Sequence, residues 1–297
     1  MTMHVTERAH AKVNLNLTIH GRRPDGYHQL SSLVAFAEDV YDTVTVSLAP
    51  EFELTLGGNF GQPLEGQTNL IETAVRLARG LKPELQNGRF HLDKSIPVAS
   101  GVGGGSADAA AALRAIAKLS GVEGVPPEFM ELALRIGADV PVCLSGDGCR
   151  SAFMQGIGEQ IFRPSGLLYL GDCGIHALLV NPGVEVATGQ VFQRLGATVL
   201  DHVSVSTPPE PFANLADLLS YLQATANDME RAAISIEPAI GEVLTYLETL
   251  PNCLLARMSG SGATCFGLFS SKNHSIEASK VLQKHREDWW VAPTALV

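Results

Sequence analysis

The stretch Pro97-Val98-Ala99-Ser100-Gly101-Val102-Gly103-Gly104-Gly105-Ser106-Ala107-Asp108 runs directly into Ala109-Ala110-Ala111-Ala112-Leu113. Its second half reads as an Ala-rich helix from Ser106 to Leu119, and its first half as a glycine loop feeding that helix. Glycines let backbone N–H groups converge on a ligand with no Cβ in the way. The helix behind adds unbonded N–H donors and the positive end of its dipole, which together make an anion site. Phosphate binding is the expected use; a flexible turn before a surface helix is the alternative. The pattern is not the G-x-x-x-x-G-K-[ST] loop. Gly101-x-Gly103 starts like a dinucleotide-binding turn, yet the first strand and the acid ending a second strand are poorly matched.

Charge makes that loop important. The chain has 21 Lys and Arg against 31 Asp and Glu, a formal charge of −10. Duplex nucleic acid and anionic membranes call for clustered positive charge, so neither is an expected partner. A polyphosphate must therefore be held locally, and a glycine cradle does so with few basic side chains. At 297 residues, with 45% hydrophobic and 18% charged, the chain is globular in composition. At ~150 residues per domain it suggests two domains. The five cysteines, Cys143, Cys149, Cys173, Cys253 and Cys265, are scattered and form no C-x-x-C, so neither a disulfide framework nor a zinc site is expected. Met1-Thr2-Met3-His4 and the residues after it lack the apolar core of a signal peptide. No apolar run approaches the ~18 residues of a membrane helix. A soluble, cytoplasmic protein is the expectation.

Working outward from the loop, residues 5–19 alternate as a strand and end in the turn Gly21-Arg22-Arg23-Pro24-Asp25-Gly26. Strands are expected at Leu33–Phe36, Asp42–Leu48, Phe52–Leu56 and Arg89–Lys94. Helices are expected from the Thr68-Asn69 cap to Gly80 and from Pro127 to Ile136. Beyond these, a strand is expected at Ile175–Val180, helices at Thr188–Leu195, Ala213–Tyr221, Ala239–Leu250 and Ser275–Arg286, and strands at Leu254–Met258, Ala263–Phe269 and Trp289–Val297. Leu200–Pro211 reads as loose chain. This order is α+β, without strict alternation. A boundary near Gln155–Glu159 gives domains 1–160 and 161–297.

Several other segments could carry chemistry. Lys12 and Asn14, two apart in the first strand, share one face; a lysine on an exposed face is the plainer reading. Asp139, between a helix stop and an apolar strand containing Pro141, is a candidate partner or merely a cap. A buried Lys–Asp pair beside a phosphate loop would suit activation of a hydroxyl, the carboxylate taking the proton and the ammonium stabilising the transferring phosphoryl group. Tyr27-His28 could stack on and hydrogen-bond a nucleobase, or simply pack the turn. Ser259-Gly260-Ser261-Gly262-Ala263 is either a glycine hairpin or a second backbone nest. Lys94 could reach a phosphate or lie at the surface.

Taken together these segments resemble the GHMP kinases: Lys12-Val13-Asn14-Leu15, the loop before the helix, and Ser259-Gly260-Ser261-Gly262-Ala263, in that order. Arg23-Pro24-Asp25-Gly26-Tyr27-His28, Asn69-Leu70-Ile71, Gly137-Ala138-Asp139-Val140-Pro141, Asn181-Pro182-Gly183-Val184 and Asn227-Asp228-Met229-Glu230 extend the match across nearly the whole chain. They resemble the branch that phosphorylates the tertiary C2 hydroxyl of a diphosphocytidyl-methylerythritol in the non-mevalonate isoprenoid route. The resemblance implies ATP and Mg²⁺, a ribosomal-protein-S5-like N-terminal domain, and a ferredoxin-like C-terminal domain. It implies a monomer or homodimer acting on a small molecule. Lys12 and Asp139 become the catalytic pair. Pro97, Val98, Ala99, Ser100, Gly101, Val102, Gly103, Gly104, Gly105, Ser106 and Ala107 become the ATP loop, with Asn69 and Lys94 near the nucleotide. Asn14, Tyr27, His28, Asp139, Thr188 and Phe192 face the substrate, Tyr27 and Phe192 sandwiching cytosine. The chain departs from many relatives in Ala107, where they carry a second serine, and in the glycine-poor Val98-Ala99-Ser100. Another acceptor for phosphorylation, a non-catalytic nucleotide binder and a nicotinamide enzyme are the competing readings.

Overall fold

The computed structural model describes residues 4–61, 69–145, 150–168, 174–200 and 206–297. The expectations placed on Met1, Thr2, Met3, Thr68, Cys149, Cys173 and residues 201–205 lie outside these. Two compact units emerge. The first comprises Met1–Ala11, Val40–Val98 and Gly103–Cys149; the second comprises Lys12–Asp39, Ala99–Val102 and Arg150–Val297. The division is threaded through the chain rather than cut once near residue 160. Strand pairing is the reason: β1 (His4–Asn14) and β3 (His28–Leu48) each contribute residues to both units. β3 also unites two expected strands, because Glu38 and Asp39, which look like a break, are simply exposed positions along it.

In the first unit β4 (Glu53–Gly57) runs parallel to β5 (Gly88–Asp93). β5 is antiparallel to the end of β3, Thr43 facing Asp93 and Leu48 facing Gly88, and β3 pairs with β1. Alternation turns Val44, Val46, Phe90 and Leu92 inward, all fully buried. The helices are α1 (Leu70–Leu81), α2 (Gly104–Leu119), α3 (Glu128–Ile136) and α4 (Val140–Leu144). Asn69 caps α1 by accepting from the Ile71 N–H at 2.9 Å, and Ile71, Ala74, Val75 and Ala78 are buried at helical spacing. α2 is buried continuously from Ala107 to Ala117. Alanine permits this by letting neighbouring elements approach its backbone. The one long side chain in that run, Arg114, is fully occupied: it donates to Glu7 Oε2 at 2.9 Å and to the Cys143 and Arg8 carbonyls, each at 2.8 Å. The segment Val140–Leu144, expected as a strand, is helical instead. Pro141 sits in its first turn, where the missing N–H has no helical partner to lose.

In the second unit β8 (Ile175–Asn181), β9 (Cys253–Met258), β10 (Cys265–Phe269) and β11 (Trp290–Leu296) form an antiparallel sheet ordered β9-β10-β8-β11. Between β8 and β9 lie α5 (Thr188–Leu195), α6 (Leu215–Gln223), α7 (Glu230–Ile236) and α8 (Ala239–Thr249); α9 (Lys272–His285) joins β10 to β11. The order strand, helices, two strands, helix, strand, with four helices in the first crossover among the described residues, is the ferredoxin-like arrangement expected. Leu178, Val180, Ile240, Val243, Leu247, Phe269 and Leu282 form its core. The start of β3 pairs with β2 (Thr18–Arg22) across the Pro24-Asp25-Gly26 turn. It also pairs with β6 (Ala152–Gly156), which continues to β7 (Gln160–Phe162). The segment that looked like a domain boundary is therefore a strand pair.

Candidate functional site

The glycine loop takes left-handed backbone at Ala99 (φ 51°), Gly101 (φ 76°) and Gly103 (φ 66°). Its middle, Ala99–Val102, is fixed within the second unit by three successive carbonyls. Ser100 accepts from the Thr264 N–H at 2.9 Å, Gly101 from the Ser259 hydroxyl at 3.2 Å, and Val102 from the Lys12 N–H at 2.8 Å. A Cβ at Gly101 would stand 2.4 Å from the Gly262 carbonyl oxygen, and one at Gly260 would stand 2.7 Å from that of Gly101. The two glycine clusters interlock, backbone against backbone. Ser259-Gly260-Ser261-Gly262 thus acts as the scaffold of the first loop, a role that neither a free hairpin nor a separate nest describes. Asn227, which the motif match included without a role, holds this scaffold by donating to the Met258 and Gly260 carbonyls, each at 2.8 Å.

The same scaffold meets the first candidate catalytic side chain. Lys12 is 3% exposed and donates to Asn14 Oδ1 at 3.0 Å, as their shared strand face predicts. Asn14 in turn donates its side-chain amide to the Ser32 hydroxyl at 2.8 Å and its backbone N–H to the Ser259 hydroxyl at 3.0 Å. Ser259, fully buried, accordingly links the Lys12–Asn14 strand to Gly101.

In the first unit, Pro97 is buried, Val98 half-buried, and the loop ends at Gly103, the N-cap of α2, with no side-chain cap there. Gly105 is exposed, Ser106 half-buried and Ala107 buried. The helix start is thus open to an anion and backed by its dipole. Lys94 lies inside this end. It is 2% exposed, and its ammonium donates to Asp108 Oδ2 at 2.8 Å and to Asp42 Oδ2, next to Gly104, whose Cβ would fall 3.0 Å from Nζ. Burial alone would lower the lysine pKa, but the Asp108 and Asp42 carboxylates outweigh it and raise it. The cation expected to extend toward a phosphate is instead paired twice beneath the loop. Asp42 belongs to no motif in the sequence; its one signal is that it shares the inward face of Val44 and Val46, where an acid demands a buried cation. Asp139, half-buried, occupies the N-cap position of α4, but its carboxylate makes no capping bond to that helix.

The aromatic residues are arranged differently from expectation. His28 stacks on Phe192 with ring centres 4.2 Å apart and planes 14° from parallel, a spacing that leaves no room for a base between them. Tyr27 is 58% exposed. Partial burial, with Arg22 nearby, lowers the His28 pKa and favours the neutral ring that stacks. Thr188 and Ser261 share a hydroxyl hydrogen bond of 2.8 Å, joining α5 to the glycine scaffold. Among the described residues, no group of three or more His, Cys, Asp or Glu could hold a metal ion, and no helix is long and apolar enough to cross a membrane.

Comparison with known proteins agrees with this architecture. The chain matches the GHMP kinases N terminal domain over residues 69–147 and the GHMP kinases C terminal domain over 210–288. It is 42% identical over 292 residues to the 4-diphosphocytidyl-2-C-methyl-D-erythritol kinase of Parvibaculum lavamentivorans, covering 98% of each chain. It is 44% identical over 297 residues to the kinase of that name from Methylorubrum extorquens, covering 98% and 99%. A crystal structure of 4-(cytidine 5'-diphospho)-2C-methyl-D-erythritol kinase superposes with a TM-score of 0.74 at 29% identity, over 98% and 99% of the two chains. Homoserine kinase from Cytophaga hutchinsonii, 17% identical, gives 0.72 over 100% and 96% and so shares the fold. With identity above 40% sustained from end to end, the chain belongs to the 4-diphosphocytidyl-2-C-methyl-D-erythritol kinases, within the GHMP kinase family.

Proposed function

We propose that this protein transfers the γ-phosphoryl group of ATP to the C2 hydroxyl of 4-diphosphocytidyl-2-C-methyl-D-erythritol, giving the 2-phosphate and ADP, in the non-mevalonate route to isopentenyl diphosphate. The observation that carries the proposal is the full-length identity with kinases of that name. The open helix start behind Gly103 and the buried Lys12–Asn14 pair are the chemistry such a kinase needs. Asp139 takes the hydroxyl proton, and Lys12 orients the hydroxyl and offsets the charge that develops on the phosphoryl oxygens. Backbone N–H groups of the loop from Pro97 to Ala107 hold the phosphates, with Asn69 beside the nucleotide. Asn14, Thr188, Tyr27, His28 and Phe192 recognise the cytidine-bearing substrate. Since His28 covers one face of Phe192, a cytosine clamped by Tyr27 takes the other face or displaces the imidazole.

Mg²⁺ would arrive on the nucleotide. A small, strongly hydrated cation of this kind is usually carried by phosphate oxygens with few protein ligands, and this suits a chain with no acidic cage among its described residues. The ion supplies neutralisation of phosphate charge when bound. A cytoplasmic site of action fits a small-molecule step of this kind. The experiment is incubation with ATP, Mg²⁺ and a panel of hydroxyl acceptors, following ADP. ADP formation with the diphosphocytidyl substrate, and not with homoserine, mevalonate or galactose, is the expected result. Turnover of one of those acceptors instead would overturn the substrate assignment.

A further inference from the structure

We propose that Asp108 is a proton-linked positioning residue: a polyphosphate held at the start of α2 draws a proton onto it, through the buried cluster of Lys94, Asp42 and Asp108 that lies against Gly104. This rests on the reading of Gly103–Ser106 as a phosphate site.

The cluster holds one ammonium and two carboxylates, so with both acids ionised it carries a net charge of −1. All three residues are at most 2% exposed. The two acids are not equivalent. Asp42 accepts from Lys94 through Oδ2 and from the Ser95 and Ile96 N–H groups at 2.6 and 2.8 Å through Oδ1, so both of its oxygens are hydrogen-bonded. Asp108 accepts from Lys94 through Oδ2; its Oδ1 is buried and has no hydrogen-bond partner among the described residues. A buried carboxylate oxygen with no donor on it leaves the charged form poorly solvated, which favours the neutral acid at Asp108. Burial pushes the Asp108 pKa up to about 7, Lys94 opposing the rise and Asp42 adding to it.

α1 turns Ile71, Ala74, Val75 and Ala78 inward, while Glu72 and Arg76 are exposed and Arg79 half-buried. α3 buries Phe129, Leu132 and Ala133. α4 buries Val140 to Leu144, whose single titratable side chain is the Cys143 thiol. On α2 itself, Arg114 and Lys118 are committed to Glu7. Gly104 is the contact through which the cluster and a bound anion interact. A Cβ there would stand 3.0 Å from Lys94 Nζ and 3.8 Å from Asp42 Oδ2. Anionic phosphate placed on the N–H groups of that turn repels the extra carboxylate behind it. Protonation of Asp108 from bulk water relieves the repulsion and leaves a neutral cluster.

The test is calorimetric titration of ADP into the full chain, in two buffers of different ionisation enthalpy at about pH 7.5, which counts protons taken up. The wild type should take up a few tenths of a proton more than Asp108→Asn, and its affinity should fall several-fold more than the variant's between about pH 6.5 and 8.5. Equal proton counts in two proteins that both bind ADP would overturn this inference and leave the phosphate site standing. Failure of the wild type to bind ADP would overturn both. Should the variant not fold, difference infrared spectra of the wild type decide: growth of the protonated-carboxyl band on adding ADP supports the linkage, and an unchanged band overturns it.

Discussion

Lys12 and Asn14 show how far residue types alone reach. A cation two positions from an amide on a strand must share its face, and the 3.0 Å bond between them follows. If Asp139 is the proton acceptor, Asp139→Asn keeps its size and hydrogen-bonding shape but loses the base. The expected result is a fall in kcat of ~10²–10⁴-fold with KM for the substrate nearly unchanged, read from steady-state ADP release. A variant within a few-fold of the parent would remove that role. The stacked His28–Phe192 pair could not be read from sequence, because ring stacking between residues 164 positions apart leaves no local periodicity. Lys94 is visible in the sequence but its partners are not: Asp42 lies 52 residues away, and Asp108 stands only at the tail of a glycine motif.

Elements were most legible where periodicity was strong, as in α1, α8, β5 and β8, and least where the chain is short or context decides. Val140–Leu144 is apolar enough for a strand, yet the position of Pro141 in a first turn and its burial against α2 make it a helix. α7 and the β6–β7 pair gave no periodic signal long enough to stand out. The glycine loop illustrates the same limit. Its chemistry is local, but its shape depends on Ser259-Gly260-Ser261-Gly262, and only the fold brings these together. Gly101→Ala forces a Cβ into φ 76° and to 2.4 Å from the Gly262 oxygen. It should cost about 1–3 kcal/mol and weaken ATP binding, checked by thermal melting and by KM for ATP; unchanged values for both would contradict the interlock. Arg114→Met leaves the buried Glu7 with Lys118 as its one remaining cation among the described residues and should destabilise by about 3 kcal/mol, measured by denaturant unfolding.

At the scale of the whole molecule, the net charge of −10 points to a backbone cradle as the way to hold a polyphosphate, while β1 and β3 each contribute residues to both units. Buried acids also shape the pH response. Asp108 holds its proton in the folded state at pH values where the unfolded chain has lost it. Its contribution to stability is therefore complete below the ordinary carboxylate range and lost as pH rises to about 7. The melting temperature of the wild type should fall relative to Asp108→Asn between about pH 5 and 7; parallel curves would contradict the raised pKa. The account as a whole is tested most directly by phosphorus NMR of a reaction holding the protein, ATP, Mg²⁺ and 4-diphosphocytidyl-2-C-methyl-D-erythritol. It predicts one new phosphomonoester resonance on the substrate, growing in step with ADP while the diphosphate signals persist. Inorganic phosphate as the sole product alongside ADP, or a spectrum that does not change, would contradict it.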